Sequence, residues 1–498
     1  MNLEQIIERY QQIRQKIKAY HYAMGIISWD SATEAPAGCF EKRAEYSGVL
    51  SEMLYTLETS DEYKQLIAQL YEHKDELDPV LRHEIIEIKR SNDKQNRIPM
   101  EEYVSYATLM ANAEQVWAKA KKENDYSQFA PLFQKVVDYQ KKYVKWQESD
   151  ALKGYDILLD EYEHDFTTKE YDKFFDCLKR ELVPFVKKVI EKGYPGKEDL
   201  TKLVIPADKQ RKVAQEIEKI LCYDLNRGLS KESEHPFTTG SGTYDVRYTN
   251  HFHEDKFESS IFSAVHELGH SLYEQQIDPQ LDDTFVGGGA SSAMHESQSR
   301  FYENMIGRSK AFVKVLLPKF NKICGVDLDE EEFYYHINKV ENSLIRIEAD
   351  ELTYPLHIML RYDLERALMN DEITVDELPQ EWNKRFKEYF GIEVPNDAVG
   401  VLQDIHWGTG LFGYFPTYAL GSAYAAQFYH AMSKDLDIEA SLGEGTTKKI
   451  NDWLKEKIHW CGSSRYPKEI MVQATGEEFD PMYYVEYLKN KYSDMYKI

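Results

Sequence analysis

The stretch Ser260-Ile261-Phe262-Ser263-Ala264-Val265-His266-Glu267-Leu268-Gly269-His270-Ser271-Leu272-Tyr273 reads as a helix that is apolar around two histidines. A surface helix would not need that apolar surround. His266 and His270 are four residues apart, so a helix stacks both imidazoles on one face, where they can grip a single ion. Zinc takes imidazole nitrogen at ~2.0–2.1 Å and leaves a position open for water. Glu267 points to the neighbouring side of the same turn, within reach of that water as a general base.

By composition alone such an HExxH pattern arises in about one in twenty chains of this kind, so its surroundings decide. Downstream, Gly287-Gly288-Gly289 breaks the helical pattern, and a second helix presents His295-Glu296-Ser297-Gln298. Glu296 lies 26 positions after His270, enough for a turn and a return helix, and is the expected third ligand. Glu274 and Glu303 are its rivals; Glu274, one turn beyond His270 on the same helix, would need a sharp side-chain return. A metzincin layout would put histidine where Gln276 stands and is rejected. No cysteine lies between Cys222 and Cys324, which speaks against a closed structural zinc site. Upstream, Tyr244-Asp245-Val246-Arg247-Tyr248-Thr249 alternates at period two after the Gly240-Ser241-Gly242 turn signal, predicting a short hairpin or edge strand. Zinc peptidases often align substrate backbone on such a strand. The pattern is that of a zinc-dependent peptidase of the gluzincin type, with His266, His270 and Glu296 as metal ligands and Glu267 as base.

The rest of the 498 residues reads as helix, with only 25 Gly and 16 Pro. Leu3, Ile6, Ile7, Tyr10, Ile13 and Ile17 recur at three- and four-residue steps. Pro131 opens another such stretch, and Thr167 or Thr168 caps a third. The expected fold is mainly α: one large helical domain with a deep central groove and a small β-hairpin or sheet near the active site. Residues 1–498 are read as a single catalytic domain, with a largely helical lobe at 1–225 and the zinc-site and groove region at 226–498. The net charge of −25 makes nucleic acid an unlikely partner class, because an acidic chain repels phosphate. Five scattered cysteines without CxxC pairing point to a reduced compartment. The N-terminus is amphipathic helix rather than signal peptide, and no apolar run approaches a membrane span, so the cytoplasm is the expected location.

The chain also resembles the carboxypeptidase Taq family of zinc metallocarboxypeptidases over nearly its whole length. Trp29-Asp30…Pro36-Ala37-Gly38 followed by Arg43, His235-Pro236-Phe237, Asp245-Val246-Arg247-Tyr248-Thr249, His266 to His270, His295-Glu296-Ser297-Gln298, Ile345-Arg346-Ile347-Glu348-Ala349-Asp350 and Gly400-Val401-Leu402-Gln403-Asp404-Ile405-His406-Trp407 match its motifs in order. Ala35 stands where the family pattern has Met. The resemblance implies a helical fold with a deep groove, similar to neurolysin and angiotensin-converting enzyme. It also implies a homodimer and broad release of C-terminal amino acids from peptides with a free C-terminus, slow next to proline.

A carboxypeptidase must recognise a free carboxylate, which the planar fork of arginine does best. Arg346 and Arg247, both inside family motifs, are the candidates. His406 and Tyr418, 12 residues apart across a glycine-rich loop, are suited to stabilise charge on the former carbonyl oxygen, with Tyr414 as rival tyrosine. Co²⁺ or Mn²⁺ can replace Zn²⁺ in a His₂Glu site. Two other functions compete: an oligopeptidase cutting internal bonds with the same zinc chemistry, and a non-catalytic helical scaffold.

Overall fold

Asn2 starts the first helix by a reciprocal cap: its side chain accepts the Gln5 backbone N–H while the Gln5 side chain reaches back to the Asn2 N–H. The computed structural model describes residues 1–498. Helix α1 (Leu3–Thr33) turns Ile6, Tyr10, Ile13 and Ile17 onto one face, as their spacing predicts. They pack with Leu66, Ile67, Leu70, Leu81 and Ile85 into a small core of 12 buried residues. Arg14 and Glu84 form a buried ion pair across it at 2.9 Å, and the Tyr10 hydroxyl donates to the same carboxylate. Glu84 and Ile85 belong to α2 (Pro79–Asn96), which starts on an Asp78 cap with proline in its first turn.

A second core of 100 buried residues runs from Ala120 to Tyr496. The helices Ala130–Gln147 and Thr168–Lys192 feed this larger core, the latter capped by Thr167 with Glu170 in a capping box. The small core thus draws only on the first part of the helical stretch expected at 1–225.

The sheet has three strands: β1 (Gly228–Glu232), β2 (Thr238–Gly240) and β3 (Val246–Asn250), in the order β1-β3-β2. The period-two stretch is therefore the central strand, not an edge. β1 pairs with it in parallel and β2 antiparallel. Four of its five residues are buried, because it lies on α3 (Phe257–Gln276) as well as between two strands. β1 and β2 are its two edges.

Helix α3 carries the two histidines; α4 (Ser292–Arg300) returns across it, capped by the Ser291 hydroxyl, and carries Glu296. A π-helical turn, Phe301–Gly307, continues α4. Two more helices, α5 (Tyr354–Met369) and α6 (Phe415–Asp435), close the back of the site. The helices meet on glycine. A Cβ on Gly269 would come within 2.7 Å of the Gln298 carbonyl oxygen, and one on Gly421 within 2.8 Å of Glu296 Cβ. So α4 is clamped between α3 and α6 at a spacing that only glycine permits. The molecule is mainly α-helical with a small sheet, as expected. No helix is long and apolar enough to cross a membrane.

Candidate metal centre and cleft

His266, His270 and Glu296 each offer a ligand atom, and the three atoms lie within 4.8 Å of one another. Nε2 of His266 and Nε2 of His270 are each 3.7 Å from Glu296 Oε2. The other ring nitrogens face backwards. His266 Nδ1 is 2.9 Å from Glu303 Oε2. His270 Nδ1 is 2.6 Å from His295 Nδ1, and His295 Nε2 is 2.8 Å from Glu274 Oε1. A proton chain that satisfies all three contacts has His266 donating to Glu303, His270 donating to His295 and His295 donating to Glu274. That arrangement leaves the Nε2 lone pairs of His266 and His270 aimed together at Glu296, the donor set of a divalent cation. The residues therefore fit a resident metal ion.

The two rival glutamates are thus both accounted for. Glu303 stands behind His266 and Glu274 behind His295, each orienting an imidazole. The sequence offered both as competitors for the ion because spacing along a helix does not say which of two nearby carboxylates faces inward. The π-helical turn at Phe301–Gly307 alters the phase after α4, and no residue pattern announces it. Burial alone would raise the Glu303 carboxyl; Arg300, His266 and Arg308 outweigh it and hold it well below the usual carboxylate range. Glu296 is held in turn by Arg300 Nε at 2.7 Å and by the Ser299 hydroxyl at 3.0 Å.

A cavity of about 840 Å³ opens over the triad. Glu267 lines it, and its Oε2 accepts the Thr238 hydroxyl of β2 at 2.6 Å. Burial raises the Glu267 carboxyl above its ordinary range. The edge strand β2 enters the cavity wall through Thr238, with Pro236 and Phe237 just before it; the start of α4 adds Ser291 and Ser292, and the start of α6 adds Tyr414, Thr417 and Tyr418. The lining also includes Glu87 and Arg90 of α2 with Asp160, Tyr162 and His164. Glu163, within that segment, is buried, accepts the Tyr424 hydroxyl at 3.0 Å, and lies close to Ser291 and Ala293 at the N-terminus of α4. Burial pushes its carboxyl up to about 7.

The oxyanion candidates come together. His406 Nε2 is 3.3 Å from the Tyr418 hydroxyl, and the rings of Tyr414 and Tyr418 meet edge-on at 5.2 Å. Both tyrosines line the cavity; His406 stands behind Tyr418. Burial, with Arg346 nearby, pushes the His406 imidazole down to about 4, so it is neutral near pH 7.

Each of the two arginines is paired with an aspartate. Arg346 is buried behind the aromatic wall, with Nε and Nη2 both on Asp404 at 3.1 and 2.8 Å. Its guanidinium lies over the Tyr418 ring at 5.2 Å, and Arg361 binds the other oxygen of Asp404. Arg247 spends the same two nitrogens on Asp245, at 2.6 and 2.8 Å, and lies against Trp29. Neither lines the cavity. Motif membership marked both as important but did not reveal that an aspartate in each neighbourhood occupies the fork.

A family profile described as carboxypeptidase Taq (M32) metallopeptidase matches residues 9–492. Carboxypeptidase 1 of Bacillus subtilis is 40% identical over 486 residues, covering 97% of each chain. A carboxypeptidase structure from Pyrococcus furiosus superposes with a TM-score of 0.93 at 34% identity, covering 99% of each chain. An M32 carboxypeptidase from Deinococcus radiodurans gives 0.93 at 30% identity, covering 99% of this chain and 100% of its own. Agreement over the whole length, and not at the histidine motif alone, makes this chain a member of the carboxypeptidase Taq (M32) metallopeptidase family and a metallocarboxypeptidase.

Proposed function

We propose that this metallocarboxypeptidase works with Zn²⁺ held by His266, His270 and Glu296, and removes C-terminal amino acids with broad specificity from peptides that have a free C-terminus. The observation that carries the reading is the convergence of two histidines and Glu296 within 4.8 Å, with Glu267 beside them on the cavity wall. Bound there, zinc supplies Lewis-acid charge that lowers the barrier to attack of water on a carbonyl. Glu267 takes the proton of the attacking water and returns it to the departing amine. The Thr238 hydroxyl fixes one oxygen of Glu267 so that the other is free to act. Tyr418 donates its O–H to the oxygen on which negative charge develops, and neutral His406 holds that hydroxyl in place. Tyr414 is the alternative donor from the same wall. Arg346 holds the Tyr418 ring from behind, and Arg247 braces Trp29. The free edge of β2 offers backbone groups to an extended peptide. Co²⁺ and Mn²⁺ suit the same donors.

The whole chain acts as one catalytic unit, since both its cores contribute walls to one cavity. Its place is the cytoplasm, consistent with five free cysteines. It works as a homodimer; Tyr46, Val49 and Met53, exposed along one helix face, support an apolar contact between copies. The test is a mass-spectrometric time course on one peptide as free acid and as C-terminal amide, with and without chelator. Stepwise loss of single residues from the free acid alone, abolished by chelator and restored by zinc, is expected. Internal cleavage of the amide at a comparable rate would replace this reading by the oligopeptidase one.

A further inference from the structure

A second cavity, of about 410 Å³, shares no lining residue with the one over the triad. Its walls come from the helices Thr168–Lys192 and Pro467–Thr475, from α6, and from the loop that carries Phe479. We propose that it binds a free, zwitterionic amino acid with a large apolar side chain, a class of molecule that a carboxypeptidase releases. The binding is argued from this cavity's own chemistry and not from the mechanism at the metal centre.

The apolar part of the lining is mostly aromatic. The Phe479 ring meets Tyr424 at 5.3 Å, Phe174 at 5.6 Å and Phe166 at 5.8 Å. Phe166, Phe174 and Tyr424 are buried in the large core, where close packing holds them, so these rings set the shape of an apolar slot. Met471, also buried, lines it with an unbranched, polarizable side chain that adapts to different occupants. The volume falls within the roughly 300–1,000 Å³ of sites that hold small molecules.

The polar part of the lining carries both signs, Lys169, Lys173 and Lys468 with Glu170 and Glu478. Three of the five are engaged. Lys468 donates to the Asp165 carbonyl at 2.5 Å, Glu170 accepts the Thr167 N–H at 3.0 Å, and Lys169 stands 4.0 Å from Glu170. Lys173 and Glu478 are exposed, and neither side chain has a hydrogen-bond or ion-pair partner. One free cation and one free anion beside an apolar slot complement an α-carboxylate and an α-ammonium carried on one apolar side chain. A plain carboxylic acid leaves Glu478 unanswered, and a plain amine leaves Lys173 unanswered, so the pair selects the zwitterion. Tyr424 also donates its hydroxyl to Glu163 at 3.0 Å. An occupant therefore packs against a ring that is bonded into the segment whose neighbours Asp160, Tyr162 and His164 line the catalytic cavity.

The test is equilibrium dialysis of the metal-loaded enzyme against labelled L-phenylalanine, for wild type, Lys173→Glu and Val472→Trp. Lys173→Glu reverses the free cation; Val472, 44% exposed, lines the cavity, and tryptophan there fills it from the solvent side. Phenylalanine held in the catalytic cavity is common to all three proteins and cancels in the comparison. The dissociation constant of the outer site should rise at least about tenfold in each variant, with metal content and peptide hydrolysis as in wild type. In wild type, L-phenylalaninamide and 3-phenylpropionate, which lack one charge each, should displace the label only at concentrations at least about tenfold above that of phenylalanine itself. Binding curves in both variants that coincide with wild type overturn the site. Displacement by 3-phenylpropionate as readily as by phenylalanine overturns the assignment to a zwitterion. Both results leave the carboxypeptidase reading untouched, because neither measures turnover.

Discussion

Glu267 and Glu296 are both buried glutamates at the edge of one cavity, yet their loss should look different. Glu267→Gln removes a base and no ligand. Metal content and fold should be retained while kcat falls by roughly 10²–10⁴-fold. Metal analysis and steady-state kinetics on the same sample check this, and near-normal turnover in the loaded variant would disprove the role. Glu296→Ala removes a ligand, so metal affinity should fall together with activity, and titration with zinc under dialysis measures it. Stoichiometric metal at wild-type affinity would return the third-ligand role to Glu303 or Glu274. The pairing of His266 and His270 on one face was legible because a four-residue step on a helix has one geometric consequence. The roles of Glu303, Glu274 and His295 were not, because they depend on which way α4 and its π-helical continuation turn. The aspartate partners of Arg346 and Arg247 were not legible either: a motif names a residue but not the partner it is bonded to.

The clamp on α4 is the decisive feature at the scale of elements. Gly421 of α6 touches Glu296 itself, so Gly421→Ala pushes on a ligand rather than on a generic core side chain. Overpacking of this sort costs about 1–3 kcal/mol. Here the larger effect should appear in zinc affinity, with a dissociation constant raised by at least about tenfold. A competition assay against a coloured chelator reads it, and unchanged affinity would mean that α6 shifts as a body. Glu163 acts at the other end of α4. Its folded-state pKa of about 7 lies above the ordinary 4.5, so its contribution is fully present below about pH 4.5 and is lost as pH rises through 7. A shift of that size corresponds to about 3 kcal/mol. Glu163→Gln should therefore flatten this part of the stability–pH curve, and urea midpoints for both proteins at pH 5 and 8 test it. Helix periodicity was readable in the sequence from Leu3 onward, and helix starts at Thr167 and Pro131. The central place of β3 was not, since alternation looks alike in an edge strand and in one whose outer face is covered by a helix.

Across the whole molecule, the division into two cores has a consequence for motion. The proposed metal ligands hang from helices set in the large core, whereas Arg90 and Glu87 ride on α2, whose inner face belongs to the small one. Twelve buried residues hold far less apolar area than a hundred, so the layer made by α1 and α2 should open at a lower free energy than α3 and α4. Amide hydrogen exchange followed by mass spectrometry should show residues 3–96 exchanging well before residues 257–307. Equal protection of the two segments would contradict this. If that layer opens first, one bank of the channel would swing aside to admit a peptide or discharge an amino acid, while the bank that carries His266, His270 and Glu296 would keep its shape.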